Sequence, residues 1–307
     1  MMTSWKSWFK EALAGDERAM SRILTLIERS QEDPQLLSKI YETDSQIYTI
    51  ALTGATGVGK SSLLAYLVTP LTRDQYLGVI AMDPRSSVSG GAFLGDRIRL
   101  KKGLHPRVFF RSFAPRKNPF SGYLSAQIMA RAFGSFGFGC VLMETQGMGQ
   151  SDWVIQHLAD TTILVLSPES GDEIQMMKRG LIEWADIFVI NKSDRSGAKA
   201  LETALIEELK SHQDSEKWKR PVLMTESLKG EGVEPLFEAI EKHHHFLRVN
   251  GVWERKRQEH QNLEMKLWAL SMVWDRLNQV EHPSRKFQNP YEGAQRILEE
   301  VFHGNGK

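Results

Sequence analysis

The chain has 307 residues, a formal net charge of +1, and 41% hydrophobic and 25% charged residues, enough to bury a core in one large or two ordinary domains. Near-neutral charge argues against a strongly basic nucleic-acid binder, and the single cysteine, Cys140, excludes an internal disulfide and a thiolate zinc cluster. The N-terminus lacks a signal-like apolar run, and no stretch approaches the roughly 20 apolar residues of a membrane span, so a cytoplasmic protein with neither nucleic acid nor membrane as partner is expected.

In chain order, Ile23, Leu24 and Ile27 share one helical face, and Asp33-Pro34 reads as an N-cap followed by proline at the first helical position, opening a helix at 36–40. Apolar runs follow at 47–53, 77–82, 108–113, 141–144, 162–166, 187–190 and 222–224. Most are rich in Val, Ile and Leu without polar alternation, as parallel strands covered on both faces require. Helix-like stretches lie between them at 61–68, 123–132, 173–184, 199–209 and 233–243. This alternation predicts an α/β fold with a mainly parallel doubly wound sheet, flanked by helical extensions, and the Gly54–Ser61 segment after the first run, GATGVGKS, marks it as a P-loop nucleotidase. Farther on, Leu263, Leu267, Leu270, Trp274 and Leu277 recur at alternating four- and three-residue steps. The seam covers about two heptads, too few for a coiled coil. Asn289-Pro290 then opens a last helix at 291–302. The expected division is a helical extension at 1–45, a nucleotide-binding domain at 46–247 and a C-terminal helical extension at 248–307.

The phosphate site lies after the first strand. Gly54, Ala55, Thr56, Gly57, Val58, Gly59, Lys60 and Ser61 fit G-x-x-x-x-G-K-[ST], and the helix leaving the loop begins at Ser62. Glycines let the backbone curl so that successive N–H groups face one phosphate, and the helix N-terminus adds a favourable field. Lys60 would reach the β- and γ-phosphates, while the Ser61 hydroxyl would ligate magnesium.

The strand at 141–144 ends in Glu144-Thr-Gln-Gly147. A carboxylate there suits the magnesium shell, and the Gly147 N–H could meet the γ-phosphate, making the segment a sensor of GTP against GDP. The residue that orients the attacking water is left open, because Gln150 lies three residues beyond Gly147 rather than next to it.

The strand at 187–190 delivers Asn191-Lys192-Ser-Asp194. The Asp194 carboxylate can accept from the guanine N1–H and exocyclic amine, a donor pair that adenine does not offer. The Lys192 stem can cover the base face, and Asn191 can tie this loop to the phosphate loop. After the last strand, Thr225-Glu-Ser227-Leu228 offers a backbone N–H to the guanine O6. Three other features carry less chemistry. His243 to His245 point in different directions on a helix and read as an exposed helix end. Arg97, Arg99, Lys101 and Lys102 read as a solvated face, and Trp253, Trp268 and Trp274 as packing residues.

With these segments in view, the chain resembles the methylmalonyl-CoA mutase-associated GTPases (the MeaB/ArgK type) from about Ala14 to His243. The carriers are AGDERAMSRILTLIER near the start, the phosphate loop, AMDPRSSVSGGAFLGDRIRL at 81–100, ETQGMGQSD at 144–152, SPESGDEIQMMKRG at 167–180, INKSD, and SLKGEGV at 227–233. The resemblance implies that Asp83 and Asp96 join Ser61 and Glu144 around magnesium. It also implies that Ser167–Lys178 is a third switch that senses the nucleotide and contacts a mutase, with Lys178 in the catalytic set. It further implies a homodimer that escorts an adenosylcobalamin-dependent acyl-CoA mutase as a chaperone, gating cofactor loading and protecting the mutase. The chain departs from the family at Gln146 and Met148 in E-T-V-G-V-G-Q, at Glu169-Ser170 in the glycine-rich PGGGDE-like third switch, and at Glu226-Ser227-Leu228, where S-A-L is common.

The expected reaction is in-line attack of water on the γ-phosphate of GTP, giving GDP and phosphate, with Lys60 and magnesium neutralising charge. Slow intrinsic turnover stimulated by the partner is expected. Three alternatives stand beside this reading. A metallocentre-maturation GTPase is disfavoured by the single cysteine, and a transport-linked ATPase or kinase by Asn191-Lys-Ser-Asp194. A nucleotide-dependent scaffold without turnover is the third.

Overall fold

A computed structural model describes residues 5–29, 33–43, 47–82, 106–114, 118–145, 159–169, 184–211, 218–279 and 289–303. Seven strands are placed, β1 (Tyr48–Thr53), β2 (Leu77–Met82), β3 (Val108–Phe113), β4 (Cys140–Glu144), β5 (Thr161–Leu166), β6 (Ile187–Asn191) and β7 (Val222–Thr225). Each coincides, to within one residue at either end, with an apolar run of the sequence. They form one sheet in the order β3-β2-β4-β1-β5-β6-β7, and every pairing is parallel.

Burial explains the lack of polar alternation. Every residue of β1, β2, β4, β5 and β6 is buried, whereas the edge strands β3 and β7 are mostly half-buried. Alternate residues of β1 feed two cores. Ile50 and Leu52 pack with α4 (Lys60–Leu71) and α7 (Val233–Val249). Ala51 packs on the other face with α1 (Trp5–Leu13), α2 (Glu17–Glu28), α3 (Pro34–Thr43) and α5 (Ser121–Ser135). A third cluster joins Leu164 and Phe188 to α6 (Ala198–Ser211).

The N-terminal helices are fixed by caps and by burial. Asp16 accepts from the Ala19 N–H at 2.7 Å, and Asp33 accepts from the Gln35 N–H at 2.7 Å. Ile23, Leu24, Ile27, Leu36 and Ile40 are all fully buried, each contributing about 1.5–3 kcal/mol. The first two helices of the sequence reading therefore share a core with the sheet.

After α7 the chain enters α8 (Val252–Leu277) and then α9 (Pro290–His303), where Asn289 accepts from the Glu292 N–H at 2.9 Å. The expected α8 seam is only partly buried: Leu267 is inside, while Leu270 and Trp274 are 49% and 39% exposed. Polar bolts hold the helix instead. Buried Glu264 accepts from Tyr41 of α3 and from Arg131 of α5, the latter at 2.9 Å. The guanidiniums of Arg248 and Arg257 lie over the ring of buried Trp253, at 4.6 and 4.5 Å from its centre.

The histidine run needs correction. His243 falls on the inner face of α7 with Leu236, Ala239, Ile240 and Leu247, and is buried rather than exposed. Its Nδ1 pairs with the Thr161 hydroxyl at 2.7 Å, and its Nε2 lies 3.4 Å from Asp186. Helical periodicity outweighs polarity here because the Thr161 hydroxyl satisfies Nδ1 and the Asp186 carboxylate faces Nε2. His244 stacks on Tyr48 at 4.0 Å, and His245 is exposed. Among the described residues no helix is long and apolar enough to cross a membrane.

Candidate nucleotide site

The centre of the sheet sets the site. β1 lies between β4 and β5, and at its end the chain turns through Gly54, Gly57 and Gly59, with φ of 143°, 85° and 100°. Two of these glycines are also pressed against neighbours. A Cβ on Gly54 would sit 2.1 Å from the Val165 carbonyl oxygen of β5, and one on Gly59 would sit 2.2 Å from Asn191 Nδ2. Gly59 caps α4 without a side-chain hydrogen bond, so the helix's first turn keeps its field for an anion. Lys60 is buried and folds back over the loop, donating to the carbonyls of Gly54 and Ala55 at 2.8 and 3.0 Å.

Ser61 and Glu144 meet beside the loop. Parallel register places Glu144, the last residue of β4, opposite Leu52 of β1 and Ala81 of β2. The Ser61 hydroxyl donates to Glu144 Oε1 at 2.6 Å, and the carboxylate is buried. Together they offer hard oxygen atoms of the kind that suit magnesium. β2 ends at Met82, the residue before Asp83. Asp83, Asp96, Gly147, Gln150 and Lys178 lie outside the described residues, as do Arg97, Arg99, Lys101, Lys102 and all of the third-switch segment beyond Glu169.

Asn191 joins the phosphate loop to the last two strand ends. Its Nδ2 donates to the Val58 carbonyl at 2.7 Å and to the Ser227 hydroxyl at 2.9 Å. Its Oδ1 accepts from the Ser227 N–H at 3.0 Å and from the Thr225 hydroxyl at 3.1 Å. This uses the full hydrogen-bonding capacity of a buried amide. It also sharpens the reading of Ser227-Leu228. The Ser227 N–H is engaged, whereas the Leu228 N–H has no partner among the described residues. Tyr66 of α4, which the sequence reading did not single out, donates to the Leu228 carbonyl at 3.1 Å. The Leu228 side chain is 81% exposed.

Lys192 has φ of 57°, the one positive value at a non-glycine residue among those described. Its ammonium lies 2.7 Å from Glu169, three residues past the end of β5. Arg195 Nε is 3.4 Å from Glu169 and 3.4 Å from Asp194, whose side chain is partly exposed. Sequence reasoning marked Glu169 only as a departure from a glycine-rich pattern.

The chain matches the family profile "Methylmalonyl Co-A mutase-associated GTPase MeaB" over residues 20–282. It is 35% identical over 306 residues to a Pyrococcus abyssi protein described as a GTPase, covering 94% of each chain. It is 30% identical over 305 residues to the mitochondrial methylmalonic aciduria type A homolog of Caenorhabditis briggsae, covering 90% of this chain and 72% of that one. A fused isobutyryl-CoA mutase of Cupriavidus metallidurans is 36% identical over 193 residues, which span 61% of this chain and 18% of that one. The solved structure of an LAO/AO transport system kinase superposes with a TM-score of 0.69 over 98% of each chain at 20% identity, so the two share a fold.

Proposed function

Because the chain belongs to the methylmalonyl-CoA mutase-associated GTPase family, we propose that it is a magnesium-dependent GTPase that acts as a chaperone for an adenosylcobalamin-dependent acyl-CoA mutase. Family membership carries guanine-nucleotide binding and GTP hydrolysis in general. The bridge from Asn191 to Val58 and Ser227 supports the site assignment, because it sets a base-reading loop against a phosphate loop.

In this reading the curled backbone of 54–59 and the first turn of α4, from Lys60 through Ser62, receive the phosphates. Lys60 exchanges its bonds to the Gly54 and Ala55 carbonyls for the β- and γ-phosphate oxygens. Magnesium, when bound, neutralises charge developing on the phosphates. Ser61 and Glu144 would hold it with Asp83 and Asp96, the last two assigned by family resemblance. Gly147 meets the γ-phosphate, Gln150 belongs to the catalytic set, and Lys178 belongs to that set as part of the third switch. Asp194 accepts from the guanine N1–H and amine, the Lys192 stem covers the ring, and the Leu228 N–H reads O6. Ser227 serves by holding Asn191.

Intrinsic turnover is slow and rises when the mutase orders the switches. The fused isobutyryl-CoA mutase, which joins a segment similar to this chain with a mutase in one polypeptide, supports that partnership. The protein works in the cytoplasm as a homodimer formed through its C-terminal extension at 248–307. Exposed Met265, Met272, Tyr291 and Phe302 on α8 and α9 support that arrangement. The decisive experiment is co-purification with candidate acyl-CoA mutases in GDP and in a non-hydrolysable GTP analogue. Nucleotide-dependent capture of one mutase is expected, and failure to bind any of them in either state rejects the chaperone role.

A further inference from the structure

From the ion-pair cluster at the adjoining ends of β5 and β6, we infer that Glu169 is a positioning residue for base recognition, holding Lys192 and Arg195 so that Asp194 and the lysine stem are set for guanine. This rests on the reading that Asp194 takes the guanine edge.

Two loops meet here. β5 and β6 are neighbours with Leu166 opposite Ile190, so the residues after each strand emerge side by side. Pro168 packs at the Gly197 turn, where an added Cβ would come within 3.6 Å of its ring. Glu169 then places one carboxylate oxygen 2.7 Å from Lys192 Nζ and the other 3.4 Å from Arg195 Nε. One carboxylate thus spans both cations that flank the base-reading aspartate.

Each contact has a consequence. A lysine covers a base with its stem only after giving up the freedom of a long chain. Anchoring the ammonium to Glu169 restricts that chain before the nucleotide arrives, which is preorganisation. Arg195 sits equally far, at 3.4 Å, from Glu169 and from Asp194. Without Glu169 the guanidinium has, among the described residues, only Asp194 to pair with, and it would occupy the oxygens that guanine needs. The Lys192 ammonium, with help from Arg195, holds the Glu169 carboxyl below the ordinary carboxylate range, so the clamp is charged at neutral pH. Exposed ion pairs of this kind add little to folding stability, which separates a positioning role from a structural one.

The test uses the full chain and four ligands, GDP, IDP, ADP and inorganic pyrophosphate, with affinities measured by calorimetry. Glu169→Gln keeps the shape and removes the charge. It should weaken GDP by roughly three- to tenfold, the range expected for freeing one or two long side chains. It should also narrow the preference for GDP over IDP, which lacks the exocyclic amine, while pyrophosphate affinity and Tm stay unchanged. In a Lys192→Met, Arg195→Met background, which removes both cations that Glu169 holds among the described residues, the same substitution should have no further effect on GDP. GDP affinity within twofold of wild type in Glu169→Gln, or GDP and pyrophosphate falling together, overturns the inference. A wild-type protein that does not prefer GDP over ADP overturns the Asp194 reading itself, a failure recognisable without any variant.

Discussion

Ser61 of α4 donates its hydroxyl proton to Glu144 of β4 across 2.6 Å, so a helix start and a strand end from different crossovers share one hydrogen bond beside the phosphate loop. Both groups can instead face a hard cation. Glu144→Gln keeps this hydrogen bond but removes the charge. It should raise the magnesium concentration needed for half-maximal phosphate release and lower kcat on the order of a hundredfold, the scale of losing one charge-stabilising group. Magnesium titrations of phosphate release are the check. An unchanged magnesium requirement would remove Glu144 from the cation's shell.

Asp194→Asn reverses the base-reading pattern. An amide nitrogen cannot accept from the guanine N1–H or amine, but it can donate to the carbonyl that xanthine carries at the same position. Two charge-assisted bonds at roughly 1.5–3 kcal/mol each set the loss for GDP at about a hundredfold or more. Competition between GDP and XDP should therefore favour GDP in wild type and XDP in the variant. Equal loss of both nucleotides would place Asp194 outside the base pocket.

Much of this architecture was legible because the determining signals are local. An unbroken apolar run such as 187–190 can only be a covered strand or a buried helix, and its short length selects the strand. The glycines before Lys60 announce a turn, and Asn191 announces its own bridge by its place in N-K-x-D. Other features depend on contacts between distant segments. Whether Ser227 or Leu228 lends its N–H to a base turns on where Asn191 Oδ1 points. The Glu169–Lys192 pair joins residues that follow separate strands, and no period in the sequence links them. His243 was readable in principle, since Leu236, Ile240 and Leu247 define its face, but three consecutive histidines drew attention to polarity over periodicity.

Arg257 and Asp160 give a stability prediction. Asp160 is fully buried and takes hydrogen bonds from the Thr49 N–H at 2.8 Å and the Thr49 hydroxyl at 2.7 Å, with Arg257 at 2.9 Å. Burial still pushes its carboxyl pKa up, against the pull of Arg257, so the pair is held at a desolvation cost. Arg257→Met leaves that carboxylate without its main counter-charge and should destabilise the fold by about 3–5 kcal/mol. Adding Asp160→Asn, whose amide oxygen can still accept from Thr49, should recover most of the loss. Urea melts of the two single variants and the double variant measure this, and strictly additive losses would count against the pair acting as a unit.

His243 predicts how the fold responds to acid. Burial lowers its pKa from 6.5 to about 4; Asp186 opposes that shift, while Lys256 and His244 reinforce it. The folded pKa lies below the unfolded one, so below pH 6.5 the unfolded chain takes up a proton that the folded chain refuses until about pH 4. Stability is therefore full above pH 6.5 and falls as pH drops through that window, by at most on the order of 3 kcal/mol from this residue. Burial likewise lowers His244 to about 4, so it contributes in the same direction. Between pH 6.5 and 5 most carboxylates stay ionised, which isolates the histidines. His243→Gln can keep a polar contact to Thr161 without titrating. Its urea midpoint should be lower than wild type at pH 7 but should change less between pH 7 and pH 5. An equally steep decline in that variant would place the acid sensitivity elsewhere, and His244→Gln would show whether the stacked ring carries it.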